Sequence, residues 1–108
     1  MDYITFEARG RSVSDPEEIK TKGGAQGVKG SIAINKFVPK GDGLFETNTI
    51  FLNYECWDSD PETIKLRLAK GRTIKLTGEI KEDKWISSSN EKRKSVTLKV
   101  KTIINIQD

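Results

Sequence analysis

The chain is 108 residues long, enough for one domain with one small core. It is 34% hydrophobic and 32% charged, a balance that folds but leaves core residues scarce. With no histidine and one cysteine, Cys56, it excludes a disulfide framework and a thiolate metal cluster and lacks the commonest general base and zinc ligand.

No apolar run reaches the roughly 18–20 residues of a membrane-spanning helix, and the N-terminus lacks the apolar stretch of a signal peptide. The net charge of +3 is unevenly spread. Residues 1–54 carry seven basic and seven acidic side chains, residues 55–108 twelve and nine. A pI near 9 with that asymmetry makes a polyanion a candidate partner.

Five strands and one short helix are predicted. Ile4, Phe6 and Ala8 alternate with Tyr3, Thr5 and Glu7, the pattern of a half-buried strand. Ser14-Asp15-Pro16-Glu17 and Lys22-Gly23-Gly24 punctuate the loop that follows. A second strand sets Val28, Gly30, Ile32 and Ile34 on one face, and Lys29, Ser31, Ala33, Asn35 and Phe37 on the other. Its glycines predict a bend or a bulge. Pro39-Lys40-Gly41-Asp42-Gly43 reads as a mobile loop.

Thr47 to Trp57 forms the third strand, with Ile50, Leu52, Tyr54 and Cys56 inward and Thr49, Phe51, Asn53, Glu55 and Trp57 outward. A helix then opens either on Asp60 with Pro61 at its first position or on a Ser59/Glu62 capping box, and closes at Lys70-Gly71. Ile64, Leu66 and Leu68 also fit a strand, but the start and stop signals favour helix. The fourth strand carries Ile74, Leu76 and Ile80 inward. A hairpin through Ser87-Ser88-Ser89-Asn90 leads to a fifth, with Val96, Leu98 and Val100 inward and Lys99 and Lys101 outward. The expectation is an all-β chain: residues 1–108 as a single five-stranded OB-fold barrel, one short helix lying between strands 3 and 4. Closure also removes the exposed edges of an open sheet.

The third strand carries the chemistry. Its inward face already has apolar side chains, so Phe51 and Trp57 are left outside. Phe37 on the second strand and Trp85 near the last hairpin join them. Four of the eight aromatic side chains thus lie outside a core that is short of apolar material. Rings flanked by cations are what single-stranded nucleic acid needs: bases stack on any aromatic face, and Lys or Arg neutralises phosphate. The candidate phosphate contacts are Lys29, Lys36, Lys40, Lys81, Lys84, Lys92, Arg93 and Lys94.

Other readings stay open at this point. Phe51 and Trp57 equally suit a protein interface, which would make the domain an OB-fold adaptor of a replisome or primosome. Trp85 could instead plug the barrel mouth, and the lysines could be a solvated face. Stacking does not separate DNA from RNA. Glu79, Glu82 and Asp83 beside the last hairpin weigh against a purely cationic arm. Cys56 is inward with no histidine to activate it, so a structural thiol is expected rather than a catalytic one.

Four motifs in order resemble the bacterial-type single-stranded DNA-binding protein family, with its phage and organellar relatives. They are Gly10 followed by Asp15-Pro16-Glu17; Thr49-x-Phe51-x-Asn53-x-x-x-Trp57; Leu68-x-Lys70-Gly71; and Gly78-Glu79-Ile80 with Lys84-Trp85. The likeness spans roughly residues 3–106. It implies an OB barrel that binds single-stranded DNA without base specificity in replication, recombination or repair. Phe51, Trp57 and Trp85 would take the stacking positions, with Phe37 within a residue of another.

The resemblance further implies a homotetramer, with a dimer as the alternative, and a cytoplasmic, nucleoid-associated location if the source is bacterial or phage. It implies no catalysis, no cofactor and no metal. Three departures stand out. Ser12-Val13 replaces a Leu-Gly-type pair, with an expected effect on a subunit contact. Asp58-Ser59-Asp60 brings carboxylates toward the DNA path. The chain stops at Ile106-Gln107-Asp108, where relatives continue to an acidic recruitment tail; a trimmed form and a naturally short, phage- or element-encoded one would both end so.

Overall fold

The computed structural model describes residues 1–57 and 60–107. The predicted Ser59 capping box, the Asp58 carboxylate and the terminal Asp108 lie outside them. The chain runs β1 (Thr5–Ser12), β2 (Glu17–Lys20), β3 (Gln26–Gly41), β4 (Leu44–Trp57), α1 (Pro61–Arg67), β5 (Thr73–Ile86) and β6 (Lys92–Ile106). The sheet order is β1-β5-β6-β4-β3-β2, and β1 also pairs with β3 through Arg11↔Ala33 and Ser12↔Ile32. That last pairing closes the sheet into a ring, as an OB barrel requires.

The core follows the predicted parity. Val28, Ile32, Tyr54, Cys56, Ile74, Leu76, Leu98 and Val100 are buried, and Ile64 and Leu68 from α1 and its end close one side. Asp60 caps α1 by accepting from the Thr63 backbone N–H (3.3 Å) and hydroxyl (2.6 Å), with Pro61 in the first turn. Those two bonds, the hydroxyl's foremost, hold the Asp60 carboxyl below its usual range. The helix ends at Arg67, short of the expected Lys70-Gly71.

Ser12, where an effect on a subunit contact is expected, is buried within the chain itself. Its hydroxyl reaches the Leu68 carbonyl at 2.7 Å and the Ser14 carbonyl at 3.0 Å, so it fastens the end of β1 to the end of the helical segment.

Four expectations change. A short extra strand, β2, occupies the predicted first loop and pairs along β3 from Glu17↔Lys29 to Lys20↔Gln26. The Pro39–Gly43 segment is mostly strand: only Asp42 and Gly43 turn, both at positive φ (51° and 73°). Proline is tolerated because both strands of a two-stranded tip are edges. Gly27 and Gly30 make no bulge, since the register runs unbroken from Gly27↔Trp57 to Pro39↔Phe45; it shifts only between Pro39 and Gly41, next to the turn. They make room instead: a Cβ on Gly30 would collide with the Tyr54 hydroxyl.

Finally, Ile4, Ile50, Ile80 and Val96 have the inward parity yet are exposed. The β3–β4 and β5–β6 hairpins outrun the barrel, so their inner faces meet solvent. The radius of gyration, 16.1 Å, records this against about 13 Å for a compact chain of this length.

Candidate nucleic-acid interface

Directly paired residues of antiparallel strands share a face. The β3–β4 register therefore puts Trp57, Phe51, Phe37 and Phe45 on one outer surface, opposite Gly27, Ala33, Thr47 and Pro39 respectively. Each ring faces a small or compact partner, so none is covered from across the ladder. Phe37, Phe45 and Phe51 are exposed, Phe51 at 65%. Between them, Ser31 donates to Asn53 (2.8 Å) and Thr49 donates to Asn35 (2.7 Å), tying the two strands together beneath the rings. Phe51 and Trp57 are six residues apart, about 20 Å along an extended strand.

Trp57 is half-buried rather than open, because its indole lies over Gly27 and donates to Glu55 at 3.1 Å. Trp85 stands on the β5–β6 arm, 49% exposed and paired with Arg93, so it does not plug the barrel mouth. The turn at the tip is closed by Ser87 N–H to the Glu91 carbonyl, 2.8 Å.

The expected cations fall into two groups. Lys29 pairs with Glu17 (3.9 Å), Lys40 with Glu46 (3.5 Å), Lys84 with Glu82 (3.5 Å) and Arg93 with Glu91 (2.8 Å). Lys81 pairs with both Glu55 (3.2 Å) and Asp83 (3.3 Å). The bond to Glu55 above all raises the Lys81 ammonium above its ordinary value, and the Thr97 hydroxyl holds the Asp83 carboxyl down. Lys36, Lys92 and Lys94 make no ion pair among the described residues.

Register also separates these groups. Arg93 shares a face with Trp85, whereas Lys84, Lys92 and Lys94 lie on the reverse face of the same arm with Ile86 and Val96. Lys36, paired with Asn48, is on the reverse of the β3–β4 ring face. The acidic patch is largely neutralised in place: Glu79 pairs with Lys101 at 3.0 Å, and Glu82 and Asp83 with the lysines above.

Sequence reasoning missed Phe45, Arg9, Arg11 and Lys70. A groove of about 760 Å³ runs beside Phe37 and Phe51, with Arg9, Arg11 and Lys70 on its other side. Arg11 pairs with Ala33 and so shares the face of Phe51. Continuing the first strand's alternation past Ala8 finds both arginines, and stepping back from Thr47 finds Phe45.

Over residues 5–106 the sequence matches the single-strand binding protein family. The chain belongs to that family. No curated protein matches it by sequence. Among solved structures it is similar to the Plasmodium falciparum SSB complex with ssDNA, with a TM-score of 0.82, 17% identity, and coverage of 99% of this chain and 97% of that one. It is also similar to the small single-stranded DNA-binding protein from Streptomyces coelicolor, with a TM-score of 0.78, 16% identity, and 98% and 96% coverage. At these identities the likeness is one of fold. Within that family fold, the ring row lies on the outer face of the sheet and the barrel interior is filled by other residues. Among the described residues no helix is long and apolar enough to cross a membrane, and no cluster of metal-ligating side chains forms.

Proposed function

We propose that this protein coats single-stranded DNA without regard to base sequence, protecting exposed strands in replication, recombination or repair. Bases would stack on Phe37, Phe51, Trp57 and Trp85, with Phe45 extending the row. The observation that carries this reading is the face of β3 and β4 on which every ring sits opposite a small or compact residue, while a separate apolar set fills the core. Aromatic faces accept any base, at about 1–3 kcal/mol per stacked contact.

The backbone would follow the basic side chains. Lys92 and Lys94, which make no ion pair among the described residues, are the readiest; Lys36 lies on the reverse of the ring face and would meet only a strand that wraps round it. Lys29, Lys40, Lys84 and Arg93 would exchange an exposed carboxylate, worth about 0–1 kcal/mol, for a phosphate, whereas Lys81 is engaged by the largely buried Glu55. Arg9, Arg11 and Lys70 would line the same path beside Phe37 and Phe51. The family is a non-catalytic one, and we assign this chain no reaction, cofactor or metal.

Tryptophan fluorescence titrated with oligo-dT tests the reading. Emission should be quenched, and log affinity should fall against log salt with a slope near −0.7 per phosphate engaged. Unchanged emission at low salt would end it.

We also propose a homo-oligomer, tetrameric by family resemblance, located on DNA and hence in the nucleoid of a bacterial or phage-infected cell. Support comes from Val38, Leu44 and Ile50, apolar and exposed on the β3–β4 arm, since symmetric association is a common use of such surface. Mass in solution, with and without oligonucleotide, decides between monomer, dimer and tetramer.

A further inference from the structure

Trp57 differs from the other rings of the row in being tied down. Its Nε1 donates to Glu55 Oε1 at 3.1 Å, two residues back on the same face. The indole rests over Gly27, where a Cβ would stand 2.9 Å from Trp57 Cε3 and 2.6 Å from the Cys56 carbonyl oxygen. Glu55 is held in turn. Its side chain is only 14% exposed, and Lys81 Nζ on β5 donates to its two oxygens at 3.2 and 3.5 Å. Lys81 also reaches Asp83 at 3.3 Å, and Asp83 accepts from Thr97 Oγ1 at 2.8 Å. Contacts thus run unbroken from the ring on β4 to the base of the β5–β6 arm.

By charge alone, a carboxylate on this face opposes a polyanion. Its partial burial and its bond to the indole point to a different role. We propose that Glu55 is a positioning residue for Trp57: it fixes the indole as a preformed platform, and Lys81 fixes Glu55. A ring left to rotate would have to be ordered as each base arrived, at the expense of affinity. This inference rests on the reading of Trp57 as a stacking platform.

The chain has two tryptophans, so a Trp85→Phe background leaves Trp57 as the sole reporter. In that background, Glu55→Gln keeps an oxygen acceptor for the indole and removes the charge, whereas Glu55→Ala removes both. Acrylamide quenching and anisotropy of the free protein report how firmly the ring is held, and oligo-dT titration reports affinity.

Positioning predicts opposite signs. Glu55→Gln should keep the ring protected and bind as tightly as its parent or more tightly. Glu55→Ala should expose the ring and weaken binding roughly five-fold, the worth of about one net hydrogen bond. Lys81→Met, which leaves the Trp57–Glu55 bond in place, should give acrylamide access between the two. Tighter binding in both Glu55 variants, or equal protection of the ring in all of them, overturns the proposal. Failure of the underlying reading is separately visible: the Trp85→Phe parent would show no quenching by oligo-dT, while its acrylamide response would still report on Glu55.

Discussion

The β3–β4 and β5–β6 arms are near twins in length, with strands of 16, 14, 14 and 15 residues, and both run past the barrel. Their surfaces differ. The outer face of β3–β4 carries four rings separated mainly by short polar side chains that bond across the ladder. The β5–β6 arm carries one ring, Trp85, among charges on both faces: Arg93 beside it, and Lys84, Lys92 and Lys94 behind. Stacking is short-ranged and indifferent to ions, whereas phosphate attraction fades as salt releases less entropy from counterions. On the function proposed above, the two arms divide the work: the rings of β3–β4 supply affinity that survives salt, and the charges of β5–β6 supply affinity that salt removes.

The comparison breaks first, if it breaks, at Phe51 and Trp57. Each Phe51→Ala or Trp57→Ala change removes a stacking contact of about 1–3 kcal/mol, a loss of roughly 5- to 150-fold in affinity. The slope of log affinity against log salt should not change. Fluorescence anisotropy of a labelled oligo-dT at several salt concentrations measures both quantities. A slope that falls with the rings would mean that the arms are not separate devices.

A smaller effect with the opposite signature belongs to the β5–β6 arm. Lys92→Ala with Lys94→Ala should make the same slope shallower by about 1.4, two phosphates at about 0.7 each. Affinity should drop at low salt and converge on the parent as salt rises. An unchanged slope would mean that the reverse face of this arm lies off the DNA path, which would leave Arg93 beside Trp85 as the arm's contact.

The ring row was legible in the sequence because parity alone assigns a face, and Phe37, Phe51 and Trp57 share it. The closed barrel was legible from the order of its elements, a helix between the third and fourth strands at this length, and from the family resemblance. Parity does not say where a barrel wall stops, however. Ile50, Ile80 and Val96 continue the inward alternation onto the arms and so read as core. Pro39-Lys40-Gly41 has the composition of a loop, and only the pairing with β4 makes it a strand, which hid Phe45 beyond it. The ion pairs are invisible for another reason: Lys81 and Glu55 are 26 residues apart and meet only through the sheet. Most cations read as free for phosphate are therefore engaged with surface carboxylates, where exchange is cheap, and Lys81 with a largely buried one.

The smallest expected effect lies in the barrel between the arms and serves as their control. Tyr54 is 1% exposed, and its hydroxyl sits against Gly30 without a hydrogen-bond partner among the described residues. The Ser12 hydroxyl gives its proton to the Leu68 carbonyl at 2.7 Å, and its side chain offsets only part of the effect of burial on the phenol. Burial pushes the Tyr54 phenol from 10.0 up to about 12. Below pH 10 the phenol is protonated in both folded and unfolded chains, and its contribution to stability is fully present. As pH rises further, the unfolded chain gives up this proton while the folded chain keeps it, so stability is lost progressively until about pH 12. Tyr54→Phe removes an unsatisfied buried hydroxyl and should raise stability at neutral pH by about 1 kcal/mol, measured by urea unfolding. The gain over the parent should widen between pH 10 and about 12, because phenylalanine has no proton to lose. Affinity and salt slope at neutral pH should stay those of the parent, since the residue faces away from both arms' outer surfaces. A destabilised Tyr54→Phe would mean that the hydroxyl does find a partner, and a changed salt slope would mean that the barrel interior reaches the DNA surface after all.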